Sequence, residues 1–377
     1  MEVRRAFQIF ALLTILGMIA DRILFVIFPN YLLEKGFSAS EIGLIFSIAS
    51  LLLLISRSFI GKLSDFLGRK LIMSIGLLSQ SVATFLYPVI GKLHEFIFTK
   101  SLEEVSETLK SSVEDAIMAD VFKKKIRAKI LAKLGTLYPL SRGLAMLLGF
   151  LVVTYFSVTL GFWVAGSSLF LSFVIFSLLF KEEKKKVRVK MRFSIRKYSK
   201  PFKLIALIGM LQAINFTASY FPAFFILARS LGITESLLFL LLLGDYLISG
   251  VFTYQSRDWI DKVGREKVVM LGSLVFSIFI FLYPFSRSIF QFFLILLGVS
   301  ISYYIWRVAF KTVLMDKTEA RIRGEQVGFA KTLQGIGDMI GPVIGGFLID
   351  NISLSSAFFF AGGVGLISVV LSYLLQS

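Results

Sequence analysis

The chain has 377 residues, 56% of them hydrophobic, and a formal net charge of +17 at pH 7. A soluble protein of this size is closer to half apolar and richer in charged residues, so this composition excludes that class. The chain has no cysteine and one histidine, His94, which excludes disulfides, thiol catalysis and multi-histidine metal sites. We therefore expect an all-α membrane protein without a bound metal or cofactor.

Twelve apolar segments follow one another along the chain, each of about 20 residues and long enough to cross a membrane as a helix. A basic linker, residues 181–203, holds eleven Lys and Arg residues against two Glu and separates the first six segments from the last six. We therefore expect six-helix bundles at residues 1–180 and 204–377. The predicted spans are Phe7–Tyr31, Ser40–Ile60, Leu71–Ile90, His94–Val121, Ile130–Phe156, Gly161–Phe180, Leu204–Leu227, Leu237–Trp259, Val268–Phe285, Ile289–Met315, Gln326–Ile349 and Ser355–Leu375.

Lysine and arginine residues are concentrated in alternate loops, including those after spans 2, 4, 8 and 10 and the central linker. The opposite loops hold only Lys35, Lys92, Arg229 and Arg287. By the positive-inside rule, both termini are expected in the cytoplasm of a protein in the cell membrane. This distribution assigns the positive charge to topology and to contacts with anionic lipids, and it argues against nucleic-acid binding.

A short basic turn, Gly61–Lys70, joins spans 2 and 3, and a similar turn joins spans 8 and 9. Three residues of the first turn recur 196 positions later in the second: Asp65, Gly68 and Arg69 as Asp261, Gly264 and Arg265. The turns after spans 4 and 10 match at the same offset. Such an internal repeat predicts that the chain consists of two copies of one unit.

The turn Gly-x3-Asp-x2-Gly-Arg-Lys, the six-plus-six arrangement of spans and the basic central loop together resemble the major facilitator superfamily, over the whole chain. The resemblance implies twelve transmembrane helices in two pseudo-symmetric six-helix bundles, which rock about a central site. In that family the turn is the signature motif.

The resemblance also implies that this turn gates conformational change by favouring the outward-facing state. Gly68 permits a left-handed backbone conformation, and Asp65 is placed to accept hydrogen bonds from the N-terminus of a neighbouring helix. The alternative is that the turn sets only the topology. The residues assigned to the gating motif are Gly61, Asp65, Gly68, Arg69, Lys70, Asp261, Gly264 and Arg265.

Span 4 carries a charged stripe, because Glu103, Glu107, Lys110 and Glu114 lie at positions i, i+4, i+7 and i+11 of one helix face. Such a face must line water, a partner helix or the membrane surface. The resemblance favours water, since spans 1, 4, 7 and 10 line the central cavity of the family. The alternative is a solvated stripe that neutralises itself through pairs of Lys100 with Glu103 and Lys110 with Glu114.

Ionisable residues inside a membrane are functional candidates by default. We assign proton coupling to Asp21, Glu103, Glu107 and Glu114, although Asp21 could instead simply pair with Arg22 or a lysine of span 4. Carboxylates beside aromatic rings suit a cationic or amphipathic substrate. The substrate-binding candidates are Arg22, Lys110, Gln212, Asn215, Tyr220, Tyr303, Trp306 and Arg307. The polar residues of span 7 have an alternative role in bonding helices together.

Spans 5 and 8 meet at the interface of the bundles in the family, so we predict that Arg142 pairs there with Asp245. Asp338 on span 11 is a further interdomain candidate, approached by Arg57. Span 11 also carries glycines at intervals of four, including Gly337 and Gly341. Their spacing resembles an antiporter motif that belongs to span 5 in the family, and the alternative is a ladder for close helix packing.

These features favour a monomeric secondary transporter that exports small amphipathic or cationic compounds in exchange for protons. An importer or exchanger of an anionic solute, such as a sugar, an organic acid or a phosphate ester, is the alternative and would use Arg142, Arg307 and Lys311. An enzyme would need clustered catalytic groups, and a receptor usually adds a soluble signalling domain. We expect neither.

Overall fold

A computed structural model describes residues 3–122, 124–182, 198–319 and 322–376, and every regular element among them is helical. The short elements are two 3₁₀ turns, Tyr87–Val89 and Tyr283–Phe285, and a π-helical turn, Tyr220–Phe224. The helices are α1 Val3–Glu34, α2 Ala39–Leu67, α3 Arg69–Leu86, α4 Leu93–Val121, α5 Lys124–Tyr155, α6 Val158–Leu179, α7 Lys200–Ser219, α8 Phe225–Ser230, α9 Glu235–Val263, α10 Arg265–Leu282, α11 Ile289–Asp316, α12 Arg323–Asn351 and α13 Leu354–Leu374.

In the described part of the chain, eleven helical segments are long and apolar enough to cross a membrane. The stretch Lys200–Ser230, which runs from α7 through the π-helical turn to α8, counts as one of them. The sequence predicts twelve spans, and α4 accounts for the difference. The closely spaced charges of α4 make it too polar to be counted as a membrane span on its composition. Its length is sufficient, since its 29 residues are more than the roughly 20 that a span requires.

The helices form two compact units. Unit 1 contains the described residues of Met1–Lys35, Leu52–Val189 and Glu235–Leu243. Unit 2 contains those of Gly36–Leu51, Lys190–Thr234 and Gly244–Ser377. Most of each predicted half thus lies in one unit, while the beginning of α2 and the beginning of α9 each pack with the unit of the other half. The domain boundaries at residues 180 and 204 stay a prediction.

Local packing within each unit recurs at the offset found in the sequence. A Cβ built on Gly166 of unit 1 would lie 2.9 Å from the Phe85 ring, and one built on Gly362 of unit 2 would lie 2.8 Å from the Phe281 ring. The two glycines are 196 positions apart, and so are the two phenylalanines. The same close approach of helix to aromatic ring has therefore been kept in both copies of the repeat.

The turn before α3 needs glycine, because Gly68 has a φ of 99°. The Glu182 carboxylate, which follows α6, accepts hydrogen bonds from the backbone N–H groups of Arg69 at 2.7 Å and Lys70 at 3.3 Å. A carboxylate at this position also complements the positive end of the α3 dipole. The sequence predicts such capping by Asp65, whose side chain lies outside the described part of the structure.

Replacing Gly68 with alanine is expected to destabilise the protein by about 1–3 kcal/mol, since a side chain there is strained. Its Cβ would also lie 3.0 Å from Glu182 Oε2. Gly264, with a φ of 100° and open space around it, is the matched site at which strain acts alone. The thermal unfolding midpoint in detergent should be lowest for Gly68→Ala, higher for Gly264→Ala and highest for Gly91→Ala. Gly91 is the control because it has open space around it and no positive φ. Equal midpoints for all three would contradict this account of the turn.

A hydrogen bond holds the residues just before α7 in place, and a π-helical turn follows the end of the helix. Tyr198, just before it, donates a hydrogen bond to Glu325 Oε1 at 2.9 Å, and burial raises the pKa of Tyr198 to about 12, so the hydroxyl keeps its proton. At the π-helical turn Phe221 has non-helical torsions, φ −117° and ψ 108°, and the Phe221–Pro222 peptide is cis. The Phe224 ring of this segment packs within unit 2, 6.0 Å from the Tyr283 ring and 5.1 Å from the Phe292 ring.

Candidate functional site

Unit 1 contains a partly open cavity of about 410 Å³ that is walled mainly by α1, α3 and α4. The stripe of α4 faces it, because residues four or three apart share one side of a helix. α4 also contributes Phe96, Val113 and Ile117 to the buried apolar interior of unit 1. The polar residues that line the cavity are Thr14, Asp21, Gln80, Lys100, Glu103, Glu104, Glu107, Lys110, Ser111, Glu114, Tyr138 and Ser172.

One end of the cavity is a closed hydrogen-bonded network. The Glu103 carboxylate accepts a hydrogen bond from the Tyr87 hydroxyl and another from Lys100 Nζ at 2.9 Å. Lys100 Nζ also lies 3.0 Å from Glu104 Oε1 and 5.5 Å from the centre of the Phe28 ring. The side chains of Lys100 and Glu103 are 10% and 11% exposed. Because a buried charge is costly unless it is paired, these contacts hold both groups in place.

The stripe is open to solvent further along α4. Lys110 Nζ lies 2.5 Å from Glu107 Oε2, and Gln80 Nε2 donates a hydrogen bond to the same oxygen at 3.1 Å. The Glu107 side chain is nevertheless 41% exposed. Asp21 on α1 is 50% exposed and lies 2.5 Å from Arg22, the partner that we named as its alternative. Glu107 and Asp21 are therefore the paired carboxylates most accessible from the cavity.

The two interpretations of the stripe are compatible. It lines a cavity, and it is also partly neutralised, since Lys100 pairs with Glu103 as the alternative predicted. The other pair of that alternative, Lys110 with Glu114, is replaced by a contact of Lys110 with Glu107. Among the described lining residues, five carboxylates face two lysines, and Arg22 adds one more cation beside Asp21. The cavity thus has an excess of negative charge.

Sequence reasoning missed two polar residues of this site, Gln80 on α3 and Tyr87 in the turn that follows it. Both bond directly to carboxylates of the stripe, Gln80 to Glu107 and Tyr87 to Glu103. The signal available was the amide of Gln80 in an otherwise apolar span, since a polar group inside a membrane needs a partner.

The assignment of Gln212 and Asn215 on α7 to substrate binding stays a prediction, and both side chains make hydrogen bonds within unit 2. Gln212 Nε2 donates to Ser368 Oγ of α13 at 2.7 Å, and Asn215 Nδ2 donates to Ser277 Oγ of α10 at 3.4 Å. Asn215 also donates to Gln212 Oε1 at 3.2 Å. Both side chains are buried within unit 2. They bond α7 to its neighbouring helices, which was the alternative interpretation.

The aromatic candidates of unit 2 lie in a stack of rings. Tyr220 is buried between Phe216 and Phe224, with ring centres 4.7 and 4.6 Å away. Tyr303 stacks on Phe216 at 5.1 Å. Trp306 belongs to the hydrophobic core, 4.7 Å from the Phe310 ring. Tyr220 and Trp306 are therefore core residues here, which argues against direct substrate contact in this conformation, whereas Arg307 is exposed.

The predicted pair of Arg142 and Asp245 joins residues of different units and stays a prediction. Within unit 2, Asp245 accepts a hydrogen bond from Ser300 Oγ at 2.8 Å. Asp338 on α12 is half-buried.

A gating role for the second turn also stays a prediction, and its geometry is a network of exposed charges. Arg265 lies 2.7 Å from Asp261 and 3.0 Å from Asp316.

The comparison with known proteins agrees with this architecture. A family model described as Major Facilitator Superfamily matches residues 10–208 and again residues 204–377. Quinolone resistance protein NorA of Staphylococcus aureus is 24% identical over 381 residues, which cover 97% of this chain and 94% of that protein. Multidrug resistance protein 2 of Bacillus subtilis is 34% identical over 116 residues, which cover 30% of this chain and 28% of that protein.

Three solved transporters share the fold. A variant of the nucleoside transporter NupG superposes with a TM-score of 0.84 at 11% identity, covering 98% of this chain and 100% of that one. A bacterial homologue of the human lysosomal transporter Spinster gives 0.81 at 14% identity, with 98% and 96% covered. The human organic anion transporter MFSD10 (TETRAN) gives 0.70 at 17% identity, with 98% and 99% covered. Because the family model matches both halves of a helical, multi-span chain, the protein belongs to the Major Facilitator Superfamily and is a membrane transporter.

Proposed function

We propose that this transporter exports small amphipathic or cationic compounds across the cell membrane in exchange for protons, with both termini in the cytoplasm. The observation that carries the proposal is the excess of carboxylates in the cavity of unit 1. A cavity of one sign concentrates ligands of the opposite sign. The names of two relatives, a quinolone resistance protein and a multidrug resistance protein, support the export of drugs.

The lining also suits compounds that are partly apolar. Met18, Met73 and Met118 contribute flexible, polarisable side chains, which adapt to ligands of different shape. Tyr138 is 41% exposed and adds an aromatic ring to the lining, a group that attracts cations to its face. A combination of adaptable apolar surface and fixed negative charge favours a range of lipophilic cations over a single rigid substrate.

Exchange follows from competition for the same carboxylates. A proton bound to Glu107 or Asp21 removes a negative charge, so it weakens both the attraction for a cationic compound and the ion pair with Lys110 or Arg22. A cationic compound in the cavity has the opposite effect and favours release of the proton. Exposure of the site to a more acidic compartment therefore releases the compound there.

The test is accumulation of a permanently charged, lipophilic quaternary cation by proteoliposomes with an acidic interior. Protons that leave through the transporter should drive the cation inward, above the level in protein-free vesicles, and a protonophore should abolish the difference. A permanent charge is needed because a weak base would accumulate in acidic vesicles without any protein. Gradient-driven uptake of an organic anion in place of the cation would favour the alternative function.

Glu107→Gln should reduce this accumulation to the level of protein-free vesicles, because the amide cannot exchange a proton. Glu266→Gln is the matched control. It also breaks a lysine pair of 2.5 Å, with Lys317, but at a place outside the cavity lining. The control should transport normally. Normal accumulation by both Glu107→Gln and Asp21→Asn would refute coupling through these carboxylates.

A further inference from the structure

Unit 2 contains a carboxyl group that the proposed exchange in unit 1 does not use. Asp245 on α9 is 1% exposed. Its Oδ2 accepts a hydrogen bond from Ser300 Oγ of α11 at 2.8 Å. Its Oδ1 is buried and has no hydrogen-bond partner among the described residues. One oxygen of this buried carboxyl is therefore bonded and the other is not.

The groups around Asp245 in unit 2 are neutral hydroxyls. Ser249 lies one helical turn further along α9, on the same side, and its buried Oγ has no partner among the described residues. The Tyr283 hydroxyl is also buried without such a partner and lies within electrostatic range of Asp245. The other titratable groups of this cluster are Tyr220, Tyr246 and Tyr304. None of the ion pairs formed by the described residues of unit 2 includes Asp245.

A carboxylate is not compatible with this environment, whereas a carboxylic acid is. An ionised group that is removed from water loses several kcal/mol of hydration, which one neutral hydroxyl cannot replace. A protonated carboxyl has no net charge, and it still accepts the bond from Ser300. The unpaired Oδ1 is then the oxygen that carries the proton.

We propose that Asp245 is a proton-binding site of unit 2, protonated in this conformation, and that it releases its proton when water or a cation reaches it. The O–H bond at Oδ1 breaks on release, the proton passes to water, and uptake reverses the step. The role in transport rests on the proposed proton-coupled function, which this site deepens by adding a second titrating position to those of unit 1. The protonation state itself does not depend on that function.

Infrared spectroscopy of the purified full-length protein tests the protonation state directly. At neutral pH we expect a carbonyl-stretching band of a protonated carboxyl that Asp245→Asn removes and that Ser300→Ala shifts to higher frequency, since it loses a hydrogen bond. Glu235→Gln, at the start of the same helix, is the control and should keep the band. Identical spectra for wild type and Asp245→Asn would mean that Asp245 is ionised, and would overturn the proposal. This holds whether Arg142 or another cation stabilises the ionised carboxylate.

The transport arm uses the same vesicles with a pH-sensitive dye inside. Asp245→Asn should still exchange the quaternary cation, but with fewer protons moved per cation than wild type. An unchanged ratio would overturn the coupling role while leaving the infrared result intact. If wild type transports no cation at all, the proposed function fails and the infrared test still decides the site. A band or ratio that responds to Na⁺ and not to pH would mean that these oxygens bind Na⁺, which also overturns the proposal.

Discussion

Replacing Lys100 with methionine is expected to destabilise the folded protein by about 3–5 kcal/mol, the cost typical of leaving a buried charge without its partner. Lys100 Nζ lies 2.9 Å from Glu103 and 3.0 Å from Glu104, so one substitution leaves two carboxylates without a cation. Methionine keeps most of the length and apolar volume of the stem, which limits the loss of packing. The measurement is the thermal unfolding midpoint of purified protein in detergent.

Two variants separate this effect from a simple loss of a surface charge. Lys317→Met removes the cation of the more exposed Glu266 pair, where a cost of about 0–1 kcal/mol is typical. The double variant Lys100→Met with Glu103→Gln should recover part of the lost stability, because one of the two stranded charges is removed. A Lys100→Met protein that unfolds at the wild-type temperature would show that this end of the cavity is hydrated well enough to make the pair unnecessary.

The same network explains a division of roles along the stripe. Glu103 is held by Lys100 and by the Tyr87 hydroxyl, and it is nearly inaccessible. Glu107 has one lysine and one amide as partners and remains accessible to solvent. We therefore expect the exchangeable protons at Glu107 and Asp21, with Glu103 and Lys100 fixing the position of α4. This narrows the set of four coupling carboxylates that the sequence proposes.

The features that could be predicted from the sequence are those set by local periodicity. The charged face of α4 follows from its helical spacing. The repeat predicts that Gly68 and Gly264 occupy equivalent turns, and their φ values in the structure are 99° and 100°. Partners distant in sequence were not predictable. Glu182 caps α3 from 113 positions away, and nothing in the local pattern distinguishes it from other acidic residues. Helical spacing also does not decide whether Lys110 pairs with Glu107 or Glu114, because both carboxylates lie about one turn from the lysine.

The packing of the beginning of α2 is another feature that local sequence does not predict. The Asp350 carboxylate of α12 accepts hydrogen bonds from the backbone N–H groups of Ala39 at 3.2 Å and Ser40 at 2.7 Å. It therefore caps the N-terminus of α2 and adds a favourable charge–dipole interaction. Hydropathy assigns α2 to the first half of the chain. Contacts with α12, together with the Phe46 ring stacked 4.5 Å from the Phe221 ring, accompany the placement of its beginning in unit 2.

Replacing glycines of α12 with alanine is expected to have the second large effect on stability, because these glycines lie against the backbone of α7. A Cβ on Gly341 would lie 2.8 Å from the Ala218 nitrogen and 3.0 Å from the Ile214 oxygen, and one on Gly345 would lie 2.7 Å from the Ala218 oxygen. Backbone atoms inside a helix cannot move individually to relieve such contacts. Separating the two helices would also loosen the packing on which helix association in membranes depends.

Gly341→Ala is therefore expected to lower stability by about 1–3 kcal/mol or more, the range for overpacking. Gly328→Ala, in the same helix but with open space around the glycine, should raise stability by up to about 1 kcal/mol through helix propensity. One chemical change thus has opposite signs at two positions of α12, as thermal unfolding in detergent would show. If Gly341→Ala unfolded no earlier than wild type yet lost proton-driven exchange, the packing interpretation would be wrong. The glycine series would then have the coupling role suggested by its resemblance to the antiporter motif.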